Sequence, residues 1–299
     1  MLRLDELERA GKWLTTLDGR VFVYARGPEQ PDETRSPVLV LHGFPTSCHD
    51  FDEAIDVLAR RRRVIAFDFL GFGLSDKPER FSYSLHEQTD VALAVLRDAG
   101  VTRAHVWAHD LGTSVATELC ARRERGLLPG FDMRSLTLMN GSVHVELTQL
   151  TVSQKILLSS AAPLFARLSS ERVFIAQLER ILGKSVPRER LRAMWTLLAR
   201  ADGRARMPAL IGYIHERRRF WDRWIGALTR LDLPTHVAWG ERDPVAVMAI
   251  AETLVGEIPG AKLSTWPDLG HYPQVEDPER VAATVERFFD AVDGVTAAT

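Results

Sequence analysis

Apolar residues along this chain fall into two kinds of run. Short, unbroken stretches at 37–41, 63–67, 103–108, 135–139, 235–240 and 261–266 have the length and apolar content of strands buried on both faces. Between them lie longer stretches at 48–60, 86–99, 111–122, 245–257 and 278–292, whose apolar positions recur at helical spacing. In 111–122, for example, Leu111, Val115, Leu119 and Cys120 share one face. Two further stretches, 12–17 and 20–25, read as strands joined through Asp18-Gly19, a dipeptide suited to a tight hairpin. Strands alternating with helices predict an α/β fold, a mostly parallel sheet with helices on both faces.

That rhythm stops after Gly141. From 142 to 229 the pattern is helical, broken by Pro163, Gly183, Pro187, Gly203 and Pro208, with no buried strand. The simplest organisation is a core domain formed by 1–141 and 230–299, with 142–229 inserted as a helical cap after the strand that ends near Asn140. A cap there would lie over the carboxyl edge of the sheet, where open α/β sheets bind ligands.

Composition narrows the function little. The chain has 299 residues, 45% of them hydrophobic, and a net charge of −2, which gives no reason to expect a nucleic-acid partner. The basic runs Arg60–Arg63 and Arg217–Arg219 read as solvated helix faces. Two cysteines, Cys48 and Cys120, form no disulfide framework and fit a cytoplasmic setting. The N-terminus alternates charged and apolar residues, and no stretch of membrane-spanning length is apolar, so neither a signal peptide nor a membrane partner is expected.

Chemistry concentrates at Ala108-His109-Asp110-Leu111-Gly112, between a strand and a helix. A small residue two places either side of a central nucleophile marks a turn tight enough to hold that nucleophile in a strained, exposed conformation. Here the central residue is an aspartate. A carboxylate needs no base to activate it and can displace a leaving group from carbon directly, giving an ester on the protein. Hydrolysis of that ester needs a general base, assigned to His271 after the last strand, and an acid to orient it, assigned to Asp243 with Glu241 as the weaker competitor. Backbone N–H groups of Leu111 and of Phe44, in His42-Gly43-Phe44-Pro45, would hold the oxyanion. His42 and His109 flank this site and are expected to bond backbone. His105 and His109 do not make a metal pair, and no metal or cofactor is expected.

The elbow aspartate, the His-Gly-Phe-Pro loop and 270–278 (Gly-His-Tyr-Pro-Gln-Val-Glu-Asp-Pro) resemble the α/β-hydrolase superfamily on its epoxide hydrolase and haloalkane dehalogenase branch. Segments 42–47, 68–78, 139–141, 213–220 with 223–228, and 271–274 are similar to the mesoderm-specific transcript family. The resemblance implies an α/β-hydrolase fold and an Asp110–His271–Asp243 triad. Haloalkane dehalogenases usually place tryptophan after the nucleophile to hold the halide, and often asparagine in the His-Gly loop; this chain has Leu111 and Phe44. Fluoroacetate dehalogenases carry arginine at the position of Leu111. Epoxide hydrolases protonate the opening oxygen with two cap tyrosines. Tyr213 matches one of them and is the only tyrosine in 142–229, with His144 or His215 as stand-ins for the other.

The reading is therefore a cofactor-independent hydrolase that opens an epoxide to a diol. Its catalytic residues would be Asp110, His271, Asp243 and Tyr213, and its oxyanion hole Phe44 and Leu111. His42, His109, His144 and Trp195 would line the site. Leu147, Phe165, Trp195 and Leu198 would supply an apolar pocket for a small epoxide-like substrate, and a homodimer is compatible with this reading. Dehalogenation through the same ester is the enzymatic alternative. A ligand-binding receptor on the same fold is the alternative from another class.

Overall fold

The protein's structure, a computed structural model, describes residues 3–30 and 32–295. After a short helix α1 (Leu4–Ala10) come β1 (Lys12–Thr15), β2 (Arg20–Arg26) and β3 (Val38–Leu41). A 3-10 turn at Cys48–Phe51 leads into α2 (Asp52–Leu58), followed by β4 (Val64–Phe67), α3 (Leu85–Asp98), β5 (Arg103–His109), α4 (Leu111–Glu124) and β6 (Asp132–Met139). No strand interrupts the next seven helices: α5 (Val152–Leu157), α6 (Ala162–Leu168), α7 (Glu171–Glu179), α8 (Arg188–Ala199), α9 (Gly203–Leu210), α10 (Tyr213–Arg219) and α11 (Trp221–Thr229). The alternation then resumes with β7 (Thr235–Gly240), α12 (Met248–Glu257), β8 (Lys262–Trp266), α13 (Pro273–Glu276) and α14 (Pro278–Asp293).

The eight strands form one sheet in the order β1-β2-β4-β3-β5-β6-β7-β8. β1 pairs with β2, and β2 with β4, in antiparallel fashion; every later pairing is parallel. Because side chains alternate across a strand, the sheet divides its apolar residues between two cores. Leu39, Leu41, Ile65, Phe67, Val106 and Ala108 face α3, α4 and α12. Val38, Val40, Val64, Ala66 and Trp107 face α2 and α14. Strands covered on both faces show no polar alternation, and this is why each reads as a solid apolar run.

Register matters more for the site than the core does. Leu41 pairs with Ala108, Ala108 with Leu138, Met139 with Ala238, and Gly240 with Trp266. The carboxyl ends of β3, β5, β6, β7 and β8 therefore finish along one edge. The helical segment between β6 and β7 is tied to the core chiefly through α11, which packs on α4. The buried Glu118 of α4 accepts hydrogen bonds from Arg223 (2.8 Å twice) and from Trp224 Nε1 (2.8 Å).

Several local expectations need correction. The hairpin loop covers residues 16–19, because Thr16 N–H donates to the Gly19 carbonyl (3.0 Å) and the strand pairing stops at Thr15–Arg20. The helix expected from 245 starts at Met248: the Asp243 carboxylate accepts from the N–H groups of Val245 (2.7 Å) and Ala246 (3.0 Å), holding a turn before the helix can begin. Neither arginine run is uniformly solvated. Arg62 is buried against Asp290 and Asp293, and Arg217 is buried in the site described next. No helix among the described residues is long and apolar enough to cross a membrane.

Candidate active site

Each of the five aligned strands delivers one residue to the same edge. Asp110 follows β5 with φ 44° and ψ −110°, a conformation that side chains other than glycine rarely hold. The turn survives because its neighbours are small. A β-carbon on Gly112 would stand 2.3 Å from the Leu41 carbonyl oxygen, and one on Gly43 would stand 2.8 Å from Asp110 Cβ. These contacts are the physical content of the small-residue pattern around the elbow. Met139 O accepts from Asp110 N–H (3.3 Å), while Asp110 O accepts from Thr113 N–H (3.1 Å) and Thr113 Oγ1 (2.6 Å).

The loop after β3 brings Phe44 N–H to 2.9 Å from Asp110 Oδ2. Leu111 is the first residue of α4, and the first amides of a helix have no internal partner, so its N–H is the second donor at the elbow.

After β8, the Nδ1 of His271 bonds Asp243 Oδ2 at 2.7 Å, leaving Nε2 as the nitrogen a substrate can use. Asp243, buried after β7, also accepts from Asn140 Nδ2 (2.9 Å) on Oδ2, in addition to the two amides on Oδ1. Glu241, the competing acid, is exposed. Burial works to lower the pKa of His271, yet Asp243, its hydrogen bond, Asp110 and Glu276 outweigh burial and raise it to about 9.

His42 and His109 are fully buried and held by backbone. His42 Nδ1 bonds Gly43 O (2.8 Å), and its Nε2 accepts from Phe69 N–H (3.1 Å). His109 Nε2 bonds the His271 carbonyl (2.7 Å) and its Nδ1 bonds Gln274 (3.3 Å). Burial, then the charge of His271, lowers the His109 pKa to about 4, so it is neutral beside the triad. His105 lies at the other end of β5 and bonds Ser135 and Asp293.

The helical segment closes the site from above. A cavity of about 80 Å³ is lined from the core side by Phe44, His271 and Tyr272, and from the helical side by Phe165, Trp195 and Leu198 among others. Leu147 is not among its walls. Tyr213, on α10, is buried with its ring 5.7 Å from Phe44, and among the described residues its hydroxyl has no partner in good hydrogen-bond geometry. Burial and then Asp110 push its phenol far up, opposed by the neighbouring Arg217 and Gln154 side chains.

His144 does not line this cavity: its ring nitrogens bond Glu146 (2.7 Å) and Glu257 (2.9 Å), which fixes it away from Asp110. His215 is exposed, on α10 but off the Tyr213 face. Neither stands in for a second cap donor. Two buried polar residues that the sequence reading did not place in the site are there instead. Asn140 has φ 39° after β6 and bridges Asp243 to the Gly240 backbone. Arg217 donates from Nε to Ser114 Oγ (2.6 Å) and from Nη2 to Asp110 O (3.0 Å), with Nη2 3.9 Å from Asp110 Oδ1. One signal was available for Arg217: it follows Tyr213 by four residues and so shares its helix face.

A family model described as alpha/beta hydrolase fold matches residues 36–278. The chain is 41% identical to "Putative hydrolase LipZ" of Mycobacterium tuberculosis over 93% of this chain and 94% of that protein. It is 36% identical to the mesoderm-specific transcript protein of Mus musculus, over 92% of this chain and 84% of that protein. Among solved structures, haloalkane dehalogenase DbeA from Bradyrhizobium elkani superposes with a TM-score of 0.78 at 21% identity, covering 95% of this chain and 98% of that one.

Proposed function

The chain belongs to the α/β-hydrolase fold family, and from that premise we propose that it is a hydrolase converting a small apolar epoxide to a vicinal diol through an ester on Asp110. An Asp110 oxygen attacks a ring carbon, the carbon–oxygen bond breaks with its electron pair going to the ring oxygen, and that oxygen takes the phenolic proton of Tyr213. His271 then takes a proton from water as the water attacks the ester carbonyl carbon, and the oxyanion is held by the N–H groups of Phe44 and Leu111. Collapse regenerates the Asp110 carboxylate, and the two protons of the water end on the released diol oxygen and on Tyr213. Residues 142–229 act as the cap that supplies Tyr213 and excludes water.

The observation that carries this reading is the Tyr213 hydroxyl: buried, close enough to Asp110 to feel its charge, and, among the described residues, with no partner in good hydrogen-bond geometry. Leaving a buried hydroxyl unpaired costs about 1–3 kcal/mol, a cost that packing alone does not recover but a ligand oxygen does. The triad's electrostatics support the same order of events. Asp110 is one of the groups raising His271; once that carboxylate is an ester its charge is gone, and the histidine moves toward the neutral form a base requires. Dehalogenation would use the same ester but needs no proton, which leaves Tyr213 without a task as an acid.

The test is a turnover screen of aromatic and aliphatic epoxides beside haloalkanes with wild type, Asp110→Asn and Tyr213→Phe. Epoxide hydrolysis lost in both variants is the expected result. Wild-type activity on haloalkanes alone, or full epoxide activity in Tyr213→Phe, defeats the assignment.

A further inference from the structure

We propose that Arg217 forms, beside the elbow, a buried anion subsite that comes into use when Asp110 is esterified and that holds the anionic atom leaving the substrate. The inference deepens the ester mechanism above and rests on it for its role in catalysis, though the subsite itself can be tested without any substrate.

Arg217 is 1% exposed, so its charge is out of reach of bulk water. Its guanidinium is fixed at three points: Nε on Ser114 Oγ, Nη2 on the Asp110 carbonyl, and the planar carbon 4.5 Å from the centre of the Tyr213 ring. Among the described residues, Nη1 has no partner, and one carboxylate oxygen forms an ion pair with the guanidinium, Asp110 Oδ1 at 3.9 Å from Nη2, too long for a hydrogen bond. A buried guanidinium beside the elbow thus keeps one nitrogen unpaired, and the one charge partner it has among the described residues is the group the proposed reaction consumes.

Charge balance gives that nitrogen a purpose. Before reaction the pair Asp110 carboxylate and Arg217 is neutral. When an Asp110 oxygen bonds to carbon, its negative charge passes with the breaking bond to the departing atom, while the positive charge of the Arg217 guanidinium stays where it is. An unpaired buried cation is strongly unfavourable, so the site then attracts an anion or an oxygen bearing partial negative charge. Nη1 is a donor without a partner, and the Tyr213 hydroxyl, on the same helix face, is the second. The same shift helps the acid: Asp110 raises the Tyr213 phenol and Arg217 lowers it, so esterification removes the first influence and leaves the second. The missing second cap tyrosine is thereby replaced by a fixed cation, which stabilises the leaving oxygen while Tyr213 supplies its proton.

Asp110→Asn imitates the ester by removing the carboxylate charge while keeping the side chain's shape. Bromide titrated into that variant by calorimetry should bind at least tenfold more tightly than to wild type. In Asp110→Asn/Arg217→Gln the gain should vanish, and in Asp110→Asn/Arg217→Lys it should persist in weakened form. Anomalous diffraction from bromide-soaked Asp110→Asn crystals should place the ion within hydrogen-bond distance of Arg217 Nη1. Binding to Asp110→Asn no tighter than to wild type, or equal with glutamine at 217, or bromide located elsewhere, overturns the proposal. The single variant decides the matter even if glutamine at 217 prevents folding. Bromide binding without epoxide turnover would keep the subsite and discard the epoxide reading; epoxide turnover without bromide binding would do the reverse.

Discussion

The sheet side and the helical side of the site are built on opposite principles. On the sheet side Asp243 accepts four hydrogen bonds, Asp110 Oδ2 is met by Phe44 N–H, and His271 Nδ1 is held at 2.7 Å. On the helical side, about one turn of helix apart, the Tyr213 hydroxyl and Arg217 Nη1 are both buried and, among the described residues, both unpaired. Groups held by several bonds, as Asp243 and His271 are, have their geometry set before substrate arrives. A side with unsatisfied donors is incomplete, and the missing acceptor has to come from what binds there. The contrast predicts that removing a paired group on the sheet side costs stability as well as activity, whereas removing the Tyr213 hydroxyl costs activity alone.

The sharpest way to break the contrast is at Asp110 and His271, the two sheet-side residues proposed to react. Asp110→Asn should lower turnover by on the order of 10⁴ or more. His271→Gln should lower it by about 10²–10⁴ and trap the ester, seen by mass spectrometry as a substrate-sized increase on the peptide containing residue 110. A His271→Gln enzyme that turns over slowly with no adduct would argue that no ester forms.

Tyr213→Phe comes next, with an expected loss of about 10² in kcat on epoxides and no fall in Tm, because the hydroxyl removed makes no hydrogen bond in the folded protein. A large fall in Tm would show that the hydroxyl is structurally engaged and would erase the distinction between the two sides. Asn140→Ala is the counterpart on the satisfied side. It removes bonds to Asp243 and to the Gly240 backbone at once, so Tm should drop by the equivalent of about 1–3 kcal/mol, with a smaller loss of activity than Tyr213→Phe.

The smallest expected effect is on pH dependence. The folded pKa of His271, about 9, lies above its ordinary 6.5. Its contribution to stability is therefore fully present below about pH 6.5 and is lost as pH rises through about 9. Wild type should lose Tm across that window more steeply than His271→Gln does; parallel curves would mean that the histidine is not held by Asp243 and its neighbours.

Much of this was legible in the sequence because it was written in residue type and period. All eight strands appear as apolar runs or alternating segments, and the parallel register then brings Phe44, Asp110, Asp243 and His271 to one edge without further information. What was not legible depended on burial and on pairing across the fold. Arg217 sits in a run of three arginines of which only it turns inward, and charge alone does not distinguish it from Arg218 and Arg219. Asn140 looked like the end of a strand, because its partner Asp243 is a hundred residues away and only the β6–β7 pairing brings them together. His144 had the right chemistry and chain position for a cap donor, but two glutamates distant in sequence or set in a turn take both its nitrogens. The short helix α1 buries only Leu7, too little apolar periodicity to be read as a helix.

A single turnover in water enriched in ¹⁸O, with enzyme in excess over epoxide, tests the central claim most directly. If water attacks the ester carbonyl, the label enters the Asp110 carboxylate and the first diol released is unlabelled. Label found in that first diol, with the peptide containing residue 110 unchanged in mass, would mean that water attacked the substrate itself and that Asp110 never bonded to carbon.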